Sequence, residues 1–181
     1  MFDARRYEVR QKLGIRTRYN VYEEGKDDPI LQSKQKSFRL KEDFRFTDAD
    51  TGEEAFRVTT GKILDINAAY DIEDSRTGEP VGAVKRSLMS FFKHEYQLLD
   101  PDGNVVATMT EDNHLMALLR RKVTTLVPFN YDIVSPNGEK LGDVSEQFSV
   151  RDKYTIDLYG DDIDPRLAVI GTVVVDAIEG N

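Results

Sequence analysis

The chain has 181 residues, with 25 basic and 33 acidic side chains, a formal net charge of −8 and no cysteine. That length supports one sizeable core, and the acidic balance argues against a chain-wide nucleic-acid surface, because polyanions are held by clustered Lys and Arg. The lack of thiols excludes disulfide frameworks, thiolate zinc sites and cysteine nucleophiles, while nine Phe and eight Tyr are more than a disordered chain carries, so a single domain over residues 1–181 is expected.

Behind Met1-Phe2-Asp3-Ala4-Arg5-Arg6 there is no apolar run, so no secretory signal is read and a cytoplasmic location is expected. Through residue 18, Arg5, Arg6, Arg10, Lys12, Arg16 and Arg18 oppose only Asp3 and Glu8, a local charge of +4 that leaves −12 for the remainder. On a strand from Tyr7 to Leu13, alternation sends Arg10 and Lys12 to one outer face.

An internal repeat follows. Each copy is an aromatic, a spacer and a second apolar residue, then a polar turn ending in glycine, then another apolar segment. The copies are Phe44-Arg45-Phe46 with Gly52, Tyr70-Asp71-Ile72 with Gly78, Tyr96-Gln97-Leu98 with Gly103, and Tyr131-Asp132-Ile133 with Gly138. Weaker copies start at Tyr19-Asn20-Val21 and Tyr154-Thr155-Ile156. Period-two alternation on either side of an Asp-Gly or Asn-Gly turn marks a β-hairpin. The turn glycines at 52, 78 and 103 are 26 and 25 residues apart. That is too short for a propeller blade of about 40–45 residues and long enough for two strands and a connector.

Two stretches depart from this pattern. Asn113 to Val123 carries Leu115, Leu118 and Leu119 at helical spacing, which predicts a short helix before a strand near Leu126. At the end of the chain Asp164 can cap, Pro165 suits the first helical position, and Leu167 to Ile178 is mostly apolar. Val173, Val174 and Val175 would also suit a buried strand, but that reading leaves Asp164-Pro165 without a role, so a helix is predicted. Its most apolar run, Leu167 to Val175, is about half the roughly 20 residues that span a bilayer. A helix hydrophobic nearly all round must be enclosed by protein, and a long antiparallel meander that closes on itself loses its edges and gains an interior to fill.

The hairpin series, best seen in Tyr70 through Lys85 and more loosely in Tyr131 through Val144, together with the apolar end, resembles the tubby C-terminal-like superfamily, and within it the LURP-one-related branch. The resemblance runs from about Tyr7 to Ile178. It implies a mainly β fold: a closed antiparallel barrel of twelve strands around a central hydrophobic C-terminal helix. Relatives in that superfamily include tubby proteins, which bind phosphoinositides, and phospholipid scramblases, which are linked to membranes and calcium. The resemblance implies no catalytic residues.

The residues themselves point the same way. His94 and His114 are the only histidines and have no second ligand at helix or hairpin spacing, and no nucleophile elbow or phosphate loop occurs. His94 would share an apolar strand face with Phe92, Tyr96 and Leu98, the setting of a core histidine. Asp48-x-Asp50-x-Gly52 fails the calcium-loop pattern, since Glu53 and Thr59 stand where it needs Gly and Glu, and turn chemistry explains it. Asp161, Asp162 and Asp164 are the remaining metal candidates, roughly where scramblases have a proposed calcium segment; helix capping is the plainer reading.

Arg10, Lys12, Lys85, Arg86, Arg120, Arg121 and Lys122 are the candidates for an anionic headgroup or a protein partner. The expected role is therefore non-catalytic, without cofactor or nucleic acid: a surface-acting binding or scaffold module, cytoplasmic and peripheral to a membrane. A small-molecule carrier with its ligand in the barrel is the alternative, disfavoured because Leu167, Val169, Ile170, Val173 and Val174 would fill that space. A hydrolase relying on His94 or Asp100 is the third reading.

Overall fold

The computed structural model describes residues 1–12, 18–34, 44–60, 69–87, 95–111, 130–147 and 153–179. Among them the strands are β1 (Arg6–Lys12), β2 (Arg18–Glu23), β3 (Leu31–Lys34), β4 (Phe44–Asp48), β5 (Glu54–Thr60), β6 (Ala69–Asp74), β7 (Glu79–Arg86), β8 (Glu95–Leu99), β9 (Val105–Glu111), β10 (Tyr131–Val134), β11 (Lys140–Gln147) and β12 (Lys153–Leu158), followed by the helix α1 (Pro165–Glu179). Every strand pairs antiparallel with its chain neighbours, and β12 closes onto β1 with Tyr7 opposite Ile156 and Val9 opposite Tyr154. The expected closed barrel of twelve strands with a C-terminal helix is the fold observed.

The four strong repeat copies are the hairpins β4–β5, β6–β7, β8–β9 and β10–β11. Their turns hold four or five residues between strands rather than two. The extra length has a local cause. In the β8–β9 turn the Asp100 carboxylate accepts the N–H groups of Asp102 and Asn104 (3.0 and 2.8 Å), and Gly103 closes the turn at φ 85°, which a side chain would disfavour. Asp48 and Asp74 play the same part in their own hairpins. The predicted helix over Asn113–Val123, the strand near Leu126, His94 and His114 lie outside the described residues.

Because consecutive strands are antiparallel, all of these turns and the start of α1 lie at one end of the barrel, and the end of α1 lies at the other. Asp164 accepts the Arg166 N–H at 2.8 Å and Pro165 opens the helix, as the cap signal predicts. From Leu167 to Ala177 every residue of α1 is buried. The inward residues of the strands, among them Val9, Val21, Phe46, Val84, Leu98 and Ile133, form one cluster with it. The fit is closest against β7 and β8: a methyl group at Gly171 would stand 3.0 Å from Leu98 and 3.2 Å from Val84. Thr172, the polar residue in mid-helix, is satisfied by donating to the Ala168 carbonyl at 2.7 Å.

At the turn end, the segment before β1 acts as a strap. Phe2 is 8% exposed, with its ring centroid 5.7 Å from that of Tyr7 and 5.8 Å from that of Phe56. It holds a left-handed backbone (φ 69°), a conformation that costs a non-glycine residue free energy and persists only when its surroundings enforce it. Glu23 supplies that enforcement. Its buried carboxylate accepts the N–H groups of Asp3 and Ala4 (2.6 and 3.3 Å) and pairs with Lys26 at 2.5 Å. Burial opposes its charge, but Lys26 and these N–H groups outweigh burial and hold the carboxyl below its ordinary 4.5.

A depressed carboxyl contributes stability that is complete above the unfolded value and is lost as pH falls through the folded one. The expected result is that the protein loses stability progressively below about pH 4.5, and that Glu23→Gln costs about 1–3 kcal/mol at pH 7 and flattens the acid limb. Urea unfolding between pH 3 and 7 checks this; parallel pH profiles for the two proteins would count against it.

Candidate functional site

The outer face of β1, β2, β3 and β12 carries a basic ladder at the end away from the tight turns. Alternation puts Tyr7, Val9 and Gln11 inside and Glu8 and Arg10 outside, with Lys12 at the next outer register position. Pairing then aligns the positions across strands: Lys12 stands opposite Arg18, and Arg18 opposite Lys34. On the other side of β1, Arg10 stands opposite Lys153. Like charges directly opposite on a sheet repel, so this register stabilises the barrel less than a neutral or alternating one would.

Glu8 is the acidic residue set among these positions. Its carboxylate takes Lys153 at 2.6 Å and also accepts from Arg10, whose guanidinium lies 4.0 Å from the centroid of the Tyr22 ring. Burial opposes the Glu8 charge, but Lys153 and Arg10 outweigh it and keep the carboxyl low. Glu8 thereby orders two cations. Arg18 stays exposed.

The other basic candidates fall elsewhere. Lys85 and Arg86 are on β7, with five strands between it and β1 in either direction around the barrel, so they do not share a face with Arg10 and Lys12. Lys85 stands between Ala69 and Gln97, with no basic residue directly opposite. Arg86 has the inward parity of Val84 and sits opposite Tyr96 at the rim. Its charge opposes, without overcoming, the burial that raises the Tyr70 and Tyr96 phenols. Arg120, Arg121 and Lys122 lie outside the described residues.

At the turn end, beside the start of α1, a cleft of about 590 Å³ is lined by Arg5, Arg76 and Arg166, with Asp161 and Asp164 among them. Each guanidinium has a carboxylate partner. Arg5 pairs with Asp161, Arg166 grips Asp164 with contacts of 2.6–3.1 Å, and Arg76 makes a two-pronged contact of 2.8–3.0 Å with the nearly buried Asp74. Arg76 holds the Asp74 carboxyl below its usual range. Asp162 is exposed. The three aspartates named from the sequence thus meet arginines or solvent, and among the described residues no group of three His, Asp or Glu side chains could hold a metal ion.

The sequence pattern that defines the LURP-one-related proteins matches residues 29–176, from the approach to β3 almost to the end of α1. The chain belongs to the LURP-one-related family. A solved structure of a protein from Arabidopsis thaliana overlays at 12% identity with a TM-score of 0.37, covering 98% of this chain and 93% of that one. No curated protein matches the chain. The family match starts after β1 and β2, so Arg10, Lys12 and Arg18 precede it, although both strands are needed to close this LURP-one-related barrel. Among the described residues no helix is long and apolar enough to cross a membrane.

Lys34 and Lys153 were not legible as partners of the N-terminal basic residues. Their signal is the pairing register, and the β1–β12 register joins residues from opposite ends of the chain. Local alternation can place Arg10 and Lys12 on a face, but it cannot say which strand lies beside them. From this register, Arg18→Thr is expected to raise the free energy of unfolding by a few tenths to about 1 kcal/mol, because it removes a like charge from the position between Lys12 and Lys34. A denaturant midpoint unchanged or lowered at constant slope would contradict the repulsion.

Proposed function

We propose that this LURP-one-related barrel is a non-catalytic binding module that docks peripherally on anionic phospholipid surfaces through the ladder of Arg10, Lys12, Arg18, Lys34 and Lys153. The observation that carries the reading is the register itself: basic residues are stacked across three consecutive strands in a protein whose total charge is −8. A self-repelling row is a cost to the isolated fold and a gain only when an external anion covers it. Tubby proteins, relatives within the superfamily that the sequence resembles, bind phosphoinositides, which supports the same ligand class. A ligand inside the barrel is disfavoured because α1 occupies that space with buried side chains.

The expected strength is modest. The ladder has five basic positions against Glu8, and about 1 kcal/mol per basic residue near an anionic surface gives roughly 4 kcal/mol for the net charge. That corresponds to a dissociation constant near the millimolar range, reversible and sensitive to salt. Such a surface responds to the local density of anionic lipid rather than anchoring permanently.

Co-sedimentation with vesicles of neutral lipid, of 30% phosphatidylserine and of 5% phosphoinositide tests this. The protein should pellet with the anionic vesicles at low salt and release as salt rises, and Arg18→Glu combined with Lys153→Glu should weaken binding by roughly tenfold or more. Lys85→Glu, on the opposite side of the barrel, should change little. No pelleting at low salt, or equal pelleting of both variants, would remove the lipid reading and leave a protein partner as the ligand class.

A further inference from the structure

The turn-end cleft is separate from the ladder, which lies toward the opposite end of the barrel. Its ion pairs are not equivalent. Asp74 is nearly buried, with 5% of its side chain exposed, and fixes Arg76, while Asp164 is spent as the cap of α1 and fixes Arg166. These two carboxylates orient their guanidiniums. Asp161 differs: its side chain is 87% exposed and its ion pair is with Arg5. An ion pair that open to water contributes at most about 1 kcal/mol, so Asp161 can leave at little cost.

Arg5, Arg76 and Arg166 remain 47%, 44% and 38% exposed, so each can present N–H groups to a ligand while keeping its internal partner. The volume of about 590 Å³ lies within the roughly 300–1,000 Å³ typical of small-molecule sites. The field at the start of α1 favours negative charge in the same place, although Pro165 has no N–H and Asp164 already takes that of Arg166. Phe2 and Ile163 add apolar wall. Guanidiniums are planar donors matched to phosphoryl oxygens.

We propose that this cleft binds a phosphoryl oxyanion between Arg5, Arg76 and Arg166, with the Asp161 carboxylate as a displaceable occupant of the Arg5 position. Binding breaks the Arg5–Asp161 pair and swings Asp161 into solvent, and a doubly charged ligand gains more from three guanidiniums than one carboxylate gains from Arg5. No covalent step is involved. The phosphoryl group could belong to a soluble phosphorylated metabolite or to a lipid headgroup, since the recognising chemistry is shared.

Isothermal titration with inorganic pyrophosphate, alongside vesicles containing phosphoinositide, separates these sources. Wild-type protein should bind at least one of the two, Arg5→Gln should weaken binding by roughly threefold or more, and Asp161→Asn should tighten it by a similar factor because the internal competitor is gone. If Asp161→Asn tightens pyrophosphate binding, the ligand is soluble; if it tightens only vesicle binding, the ligand is a headgroup. The Arg18→Glu and Lys153→Glu changes should leave the Asp161→Asn effect intact, which separates this cleft from the ladder. Absence of binding to both probes, an Asp161→Asn variant that binds no better than wild type, or calcium binding that is lost in Asp161→Asn would each overturn the proposal. Both substitutions alter partly or largely exposed side chains, and unchanged unfolding midpoints confirm that the comparison is between folded proteins.

Discussion

α1 has no polar face along its middle, so it is stable only when enclosed on every side. Leu167, Val169, Ile170, Val173, Val174 and Val175 are each at most 2% exposed, and burying six such side chains is worth on the order of 10 kcal/mol. That is comparable with the whole net stability of a domain. An open sheet would leave half of this surface wet. Closure of β12 onto β1 is what completes the wall, so the first and last strands are held together by the demands of a helix that follows both in sequence.

Filling the interior moves recognition outward. With apolar side chains of α1 against inward residues from strands all round the barrel, and Gln11, Thr172 and Asp176 buried among them, the exposed charged groups of the described residues lie on the outer face, the rim and the two ends. The ends differ in character. At the turn end, the strap with Phe2 and Glu23 and the arginine cleft surround the start of the helix. At the other end, Tyr96 donates to Glu179 in the last turn of α1, and the basic ladder lies on the outer wall of β1–β3 and β12. Glu23 and Glu8 illustrate two uses of a carboxylate in this setting: one holds a strained backbone segment in place, the other orders a pair of cations on the surface.

The barrel was legible because its information is local. Alternation around Phe46, Tyr70, Tyr96 and Tyr131, turn glycines such as Gly103, and the Asp164-Pro165 cap each specify a hairpin or helix within about fifteen residues of chain. The surface was legible only in part. Arg10 and Lys12 follow from the alternation of one strand, but Lys153 is brought to Arg10 by ring closure, and Lys85 and Arg86 look like part of the same basic set until the strand order sets them across the barrel. The aspartates before α1 read as a cluster because they are adjacent in sequence. Arg5 and Arg76, which share their cleft, come from distant segments and leave no local signature.

Native-state amide hydrogen exchange tests the enclosed helix most directly. If α1 is wrapped by the closed barrel, the amides of Val169 to Val175 exchange only through global unfolding, with protection equal to that of the central strand amides and with the same denaturant dependence. Exchange of those helix amides through a smaller, sub-global opening while the strands remain protected would show that the helix can leave an intact sheet, and would contradict the account.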